Sequence, residues 1–446
     1  MLKAVVNAFK IPDLRRKIIF TLGMLVVFRL ISHIPVPGVE PAAIASVLEQ
    51  NRILGLLDLF SGGALVNFSI AASGVYPYIT ASIVMQLLVP IIPKLDELSK
   101  QGEQGQQKIN RWTYWLAIPM ALLQGYGSVS MLSRPEYGVF KTGFQFNLFS
   151  AEHFLPSFAI LASMTAGTMV LIWIGDLITE QGIGNGLSII IFGGIVSRLP
   201  SMVGGMMQTP DVDPAAGWGG MVGFLVIGLL TIVGIVLIQE GKRELRVQYS
   251  RRVRGTKLYG GGSTTLPLRV NMAGMIPLIF AQSFMVFPGT VATYIVDVNA
   301  DETARATWSW WQNAAKWVYD TFNQENFVYW ILLFFLVIAA TYFYTLVVFS
   351  QSNIADNLKK SGGFVPGYRP GEQTERLLNT IVNRITLLGA VFLGVVAVLP
   401  FIVQRLTGIQ QVGLSATGLL IVVGVAVDTM KQLESQLMMR RYEGFL

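Results

Sequence analysis

The chain has no cysteine among its 446 residues, and Asp, Glu, Lys and Arg together make up only 13% of it. The first absence excludes disulfides and thiolate metal sites, and leaves the compartment unreadable from redox usage. The second, beside a hydrophobic content of 52%, excludes a soluble protein with a large core and indicates a chain that crosses a membrane many times. Histidine is nearly missing as well. His33 and His153 share no ligand cluster, so no bound metal is expected. Nucleotide loops are also lacking. "GIGNG" at Gly182 has no third glycine and follows a membrane helix instead of a strand, and "GGGSTT" at Gly260 lacks the Gly-Lys-Ser/Thr ending of a phosphate loop. No cofactor is therefore expected, and energy for vectorial work must come from a partner or a gradient. No cleavable leader is expected either: the basic start "MLKAVVNAFKIPDLRRK" precedes a long apolar run from Ile18, and "SHIPVPGVEP" offers no small-residue cleavage site, so the first span is expected to be retained.

What is present is a series of apolar runs near 20 residues long. Ten are expected, at 18–34, 75–92, 112–131, 154–175, 183–199, 218–238, 270–296, 327–349, 381–403 and 412–430. With the N-terminus inside, lysine and arginine crowd into 1–17, the segment after 92, the loops 239–269 and 350–378, and the tail 431–446. The opposite loops hold few, which places both termini in the cytoplasm. Ten spans divide as five and five, and an odd number per half starts the second half on the other side of the membrane. An all-α membrane protein of two inverted, pseudo-symmetric halves is expected, 18–204 and 205–430, between a cytoplasmic segment 1–17 and a cytoplasmic tail 431–446.

One stretch resists this pattern. "LFSGGALVNFSIAASGVYPYITASIVMQLLVPIIP", from Leu59 to Pro93, carries no charge. As a single helix its 35 residues would run about 52 Å across an apolar core about 30 Å thick. It is also interrupted by Ser61-Gly62-Gly63 and by Gly74 with Pro77. Irregular backbone at membrane depth is tolerated only where it is buried in protein or lines a water-filled cavity. The piece from Leu59 to about Ala71 is too short to cross and too apolar for water. It is expected to be a short re-entrant helix, either a removable stopper or a hairpin packed permanently, followed by a true span from Val75.

Two cytoplasmic loops carry chemistry. In 241–270 the basic residues Lys242, Arg243, Arg246, Arg251, Arg252, Arg254, Lys257 and Arg269 face a single acid, Glu244. Leu245, Val247 and Tyr249 alternate with polar residues, and a Gly-rich turn follows, which predicts a projecting hairpin. Such a surface suits RNA phosphates or an acidic protein, or it serves only to orient the neighbouring spans. The second loop, 357–378, holds Lys359 and Lys360 and then Tyr368-Arg369 between Pro366-Gly367 and Pro370-Gly371, a stiff turn with one guanidinium at its tip. A docking contact explains that stiffness better than charge orientation does.

With "LFSGGAL", "PYITASI", "TEQGIGNGLSIIIF", "LPLRVNMAGMIP" and "ADNLKKSGGFVPGYRPGEQTER" in this order, the chain resembles the SecY/Sec61-alpha family over essentially its whole length, and "GYRPGEQ" resembles the bacterial form. The resemblance implies a channel that moves unfolded secretory polypeptides across the bacterial plasma membrane and releases hydrophobic segments sideways into lipid. It implies a plug at Phe60, Ser61, Gly62, Gly63, Ala64, Leu65, Val66, Asn67, Phe68, Ser69 and Ile70. An aliphatic pore ring would fall at Ile79, Ile83, Leu187, Ile191, Ile279 and Ile421, where Leu187 stands in place of the family's usual isoleucine. Thr80, Gln86, Asn271 and Gln282 are the polar candidates at a lateral gate between spans two and three on one side and seven and eight on the other. Implied partners are a SecE-type small subunit, a SecG-type third subunit, a SecA-type motor ATPase and the ribosome. The motor and the ribosome, through its rRNA, would contact Arg369, Arg243, Arg246, Arg251, Arg252, Arg254, Lys257, Lys359 and Lys360. No catalytic residue is implied.

Two other readings are weighed against this one. A secondary transporter shares inverted repeats and broken helices, but needs a polar constellation at the bilayer midplane. An intramembrane enzyme needs a paired acid or a Ser/Lys site facing a cavity. The sequence offers neither.

Overall fold

The computed structural model describes residues 9–39, 44, 58, 61–133, 139–140, 146–147, 150–207, 214–249, 252–254, 257–259, 262–272, 274, 276–295, 309–323, 326–352, 354–407 and 410–443. Phe60 of the expected plug and Arg251 of the basic loop lie outside them. So do the side chains of Arg252, Arg254 and Lys257.

Every expected span falls on a helix. In chain order these are α1 (Pro12–Ile31), α2 (Tyr76–Leu88), a short α3 (Pro93–Lys100), α4 (Glu103–Leu132), α5 (Ala151–Gln181), α6 (Gly186–Met207) and α7 (Pro214–Glu240). After the strands of the first basic loop come α8 (Ile276–Ile295), α9 (Trp310–Phe322), α10 (Phe327–Ser352), the short α11 (Ile354–Lys360), α12 (Glu372–Thr407) and α13 (Gln410–Glu443). By length and hydropathy, three helical stretches among the described residues reach across a bilayer: His153–Gln181, Phe327–Lys360 and Glu372–Leu399. Tyr76–Leu88 with Pro93–Lys100 adds a fourth only as a pair bent by 99°. The count of ten rests on the apolar runs of the sequence.

The ends follow local chemistry. Pro77 sits in the first turn of α2, where its missing N–H costs no bond, and the break before α3 comes at Pro90 and Pro93. Helices also outrun their apolar cores: α12 starts at Glu372, just past Pro370-Gly371, and α13 continues through Lys431 to Glu443. The expected spans are shorter because they were bounded by charge, whereas a helix continues into water as long as its backbone bonds are made.

The chain divides into two compact units. The first comprises Met1–Phe224, Gln282–Ile331 and Pro400–Leu446. Within it α2 packs on α4, α4 on α5, α5 on α6, α1 on α5 and α6, and α13 on α6. The second comprises Leu225–Ala281 and Leu332–Leu399. It holds a three-stranded antiparallel sheet with strand order β4-β1-β5, built from β1 (Lys242–Tyr249), β4 (Ser263–Arg269) and β5 (Gly363–Phe364). Between β1 and β4, β2 (Arg252–Arg254) pairs with β3 (Lys257–Tyr259) as a small hairpin.

Candidate functional site

The uncharged segment is the first candidate. The expectation of a re-entrant helix is corrected here, because residues 61–74 run as a succession of turns. Three glycines hold left-handed backbone, Gly62 at φ 69°, Gly63 at φ 84° and Gly74 at φ 57°, and Phe68 joins them at φ 38°. A continuous α-helix cannot accommodate such angles.

The segment is nonetheless firmly seated. At its far end Val36 N–H donates to the Phe68 carbonyl at 2.9 Å and Ile70 N–H to the Ile34 carbonyl at 3.0 Å, so it pairs with the chain that follows α1. Leu65, Phe68 and Ala72 bury themselves among Val129 and Leu132 of α4 and Ile160, Leu161 and Met164 of α5, and the Phe68 ring meets Phe140 edge-on at 6.1 Å. Contact with α6 is backbone to backbone. A Cβ on Gly194 would come within 2.2 Å of the Gly62 Cα, so only glycine at both positions permits the approach.

At the near end lies an ion pair that the sequence reading did not find. Asp58 is fully buried and pairs with Arg198 of α6. Its Oδ1 also accepts the Val66 N–H at 3.0 Å, and Arg29 of α1 donates through Nη1 to the Gly62 carbonyl at 3.2 Å. No signal in the sequence joins Asp58 to Arg198, which lie 140 positions apart.

The expected pore ring is spread over four helices. Ile79 and Ile83 lie on α2, Leu187 and Ile191 on α6, and Ile421 on α13, all in the first unit, while Ile279 of α8 belongs to the second. Ile83, Ile191, Ile279 and Ile421 are buried; Ile79 and Leu187 are half-buried. Leu187 leans on α5, where a Cβ on Gly175 would lie 2.8 Å from its Cδ2.

The four lateral-gate candidates separate. Thr80 accepts from Gln124 Nε2 of α4 at 3.2 Å while its own hydroxyl bonds the Tyr76 carbonyl, and Gln86 donates to Ser82. Asn271 and Gln282 are buried, and each has an amide oxygen without a partner among the described residues. Such an atom in apolar surroundings is costly. A further bond joins Tyr76, at the start of α2, to α8: its hydroxyl donates to the Ser283 carbonyl at 2.9 Å, 207 residues away in the chain.

The two basic loops form one surface within the second unit. Val247 is buried with Leu358 and Val365, and Leu245, Tyr249, Leu266 and Leu377 pack around them. Arg243, Arg246, Lys359 and Lys360 are exposed. Gln248 pairs with Phe364 and Tyr249 with Gly363, so the strand alternation seen in the sequence is what seats the hairpin on the second loop. Beyond β5, Gly367 and Gly371 hold φ 86° and 107° on either side of Arg369. The Thr374 hydroxyl donates to the Arg369 carbonyl at 2.8 Å and the Arg369 N–H bonds Gln373. Arg369 itself is exposed and forms no ion pair among the described residues.

Asp176 of α5 accepts a hydrogen bond from the Tyr114 hydroxyl of α4 at 2.9 Å. Among the described residues no group of acidic or histidine side chains is arranged to hold a metal.

Comparison with known proteins agrees with this architecture. The SecY family model matches residues 69–430. The protein translocase subunit SecY of Streptomyces scabiei is 39% identical over 458 aligned residues, covering 100% of both chains. That of Corynebacterium glutamicum is 40% identical over 458, again with 100% of both covered. A solved structure described as "The structure of a protein conducting channel" superimposes with a TM-score of 0.60 over 97% of this chain and 96% of the other, at 17% identity. A Sec61 chain from a canine ribosome-channel complex gives a TM-score of 0.59, with 97% and 96% covered, at 16% identity. At these identities the two structures establish the shared fold, while the two full-length relatives establish kinship: the chain belongs to the SecY family.

Proposed function

We propose that this chain is the channel-forming subunit of a bacterial plasma-membrane protein translocase, in which residues 61–70 act as a plug, the six aliphatic side chains form the constriction, and the composite basic surface receives the motor or the ribosome. The observation that carries the reading is the uncharged segment itself. An apolar, non-helical stretch is held among helices and leads through Gly74 directly into the helix bearing Ile79 and Ile83.

The chemistry suits a passive pore. A translocating polypeptide presents every kind of side chain, so a selective binding site would stall it. Aliphatic groups bind nothing strongly and expel water when the pore is empty. A sufficiently apolar segment gains about 25 cal/mol per Å² by leaving sideways for lipid, which gives the lateral gate its driving force. Both termini lie in the cytoplasm in this reading, and the halves 18–204 and 205–430 open as a clamshell held by a SecE-type subunit, with a SecG-type third subunit. Energy comes from a SecA-type ATPase or from the ribosome, and the translocase relatives favour this channel over the secondary transporter.

The absence of native cysteine makes the test clean. A single cysteine replacing Ile83 is expected to crosslink to a secretory precursor stalled during export, whereas one replacing Leu229, an exposed side chain of α7, is not. Equal crosslinking at the two positions would remove Ile83 from the pore wall.

A further inference from the structure

We propose that Asp58 and Arg198 form a latch that sets how readily the plug leaves its seat; the inference rests on the plug reading above. The uncharged segment begins on a fully buried carboxylate, and that one residue organises the turns that follow. Its carbonyl accepts the Gly63 N–H at 2.9 Å and the Ser61 hydroxyl at 3.0 Å. Oδ1 accepts the Val66 N–H, and Oδ2 faces the Arg198 guanidinium. The stem of Arg198 also lies against the plug, since a Cβ on Gly63 would be 3.0 Å from its Cδ. With Arg29 bonded to the Gly62 carbonyl, cations from two spans, α1 and α6, converge on Asp58 and Gly62.

The two ends of the plug are held by different forces. Phe68 to Ile70 are held by two backbone bonds and apolar packing. A passing hydrophobic segment can replace the apolar contacts at little cost, because dispersion and burial do not depend on which apolar group supplies them. It cannot replace the guanidinium. Moving the plug away from α6 separates the fully buried Asp58 from Arg198, and a buried carboxylate that loses its cation carries a far larger penalty than one in water. The latch therefore holds while the pore is dry and yields once water enters. Plug release is thereby coupled to wetting of the channel, and a weak or defective signal segment that does not open the pore leaves the pair closed. Asp58 and Arg198 act as positioning residues; neither touches the transported chain in the seated state.

The test uses the full chain reconstituted with its SecE-type subunit, in four forms: native, Asp58→Asn, Arg198→Gln and the double variant. Resting ion conductance is read in planar bilayers, and export of a precursor with a defective signal is read in vesicles with motor and ATP. Each single variant is expected to raise the resting open fraction about tenfold or more, because Arg198→Gln strips a buried carboxylate of its cation and Asp58→Asn removes the charge that ties the plug to α6, and to export the defective precursor. The double variant, with no ion left to compensate, is expected to lie closer to native than either single. Should a single variant fail to accumulate, Arg198→Lys keeps the charge but loses the planar fork and is expected to leak more than native. Single variants as tight as native, or a double variant equal to the sum of the two, would overturn the latch. Deletion of residues 60–70 separates the two ideas. Raised conductance in the deletion with tight point variants removes the latch and leaves the plug, whereas unchanged conductance in the deletion removes the plug itself.

Discussion

Tyr76 shows how one side chain connects distant stretches of the chain. Its hydroxyl reaches the Ser283 carbonyl at 2.9 Å, joining α2 to α8, the helices that correspond to spans two and seven beside the proposed lateral gate. A neutral buried hydrogen bond contributes about 1 kcal/mol net, which is roughly fivefold in an equilibrium. Tyr76→Phe is expected to lower the hydrophobicity a nascent segment needs to enter lipid, raising insertion of a marginal segment by about that factor. An insertion threshold unchanged from native would show that the bond does not hold the gate. Four of the six isoleucine and leucine positions assigned to the ring are buried, and Leu187, the departure from the family pattern, fits against Gly175. Asp58 with Arg198 and Tyr76 with Ser283 were not legible, because no periodicity links residues 140 or 207 positions apart.

Among the elements, the basic surface is the one whose parts were seen separately in the sequence and are joined in the structure. The alternation of Leu245, Val247 and Tyr249 predicted β1, and β1 pairs with β4 over the expected hairpin. What it could not show is that β5 of the second loop completes the sheet, since two residues of strand carry no readable period. Two other elements departed from expectation. The segment proposed as the plug runs as a chain of turns over 61–74, its helical dihedrals forbidden by the left-handed residues at 62, 63, 68 and 74. Helix α9 between spans seven and eight went unnoticed although Ser309 and Gln312 form a capping box at its start, because its 13 residues fall below the length that a search for spans picks out. The assembled surface makes a firm prediction. Arg369 is exposed at the tip of a glycine-bounded turn, so Arg369→Glu is expected to leave folding intact while weakening motor binding and motor-driven export about tenfold or more through like-charge repulsion. Native export by a folded Arg369→Glu protein would exclude this turn as the contact.

Taken as a whole molecule, the proposed seal and the proposed pore wall are consecutive in the chain. The turns that hold the proposed plug run on to Gly74, α2 begins at Tyr76, and Ile79 and Ile83 follow within two turns. In the proposed channel, displacing the plug would pull on the same helix that carries Ile79 and Ile83 and would strain the Tyr76 bond to the Ser283 carbonyl of α8, so pore opening and gate opening would share a mechanical element. Membrane class and the order of the spans were legible from hydropathy because burial in lipid needs only apolar length. How the spans pack was not, because lipid-facing and protein-facing surfaces are both apolar and carry no strong moment. The central claim is that this chain conducts unfolded polypeptide without chemistry of its own. It is tested most directly by reconstituting it with a SecE-type subunit in vesicles, adding a SecA-type ATPase and a secretory precursor, and asking whether the precursor becomes protease-protected. Protection that appears on ATP addition and disappears when this chain is omitted is the result predicted; a precursor that stays fully digestible with the folded complex, motor and ATP all present would contradict it.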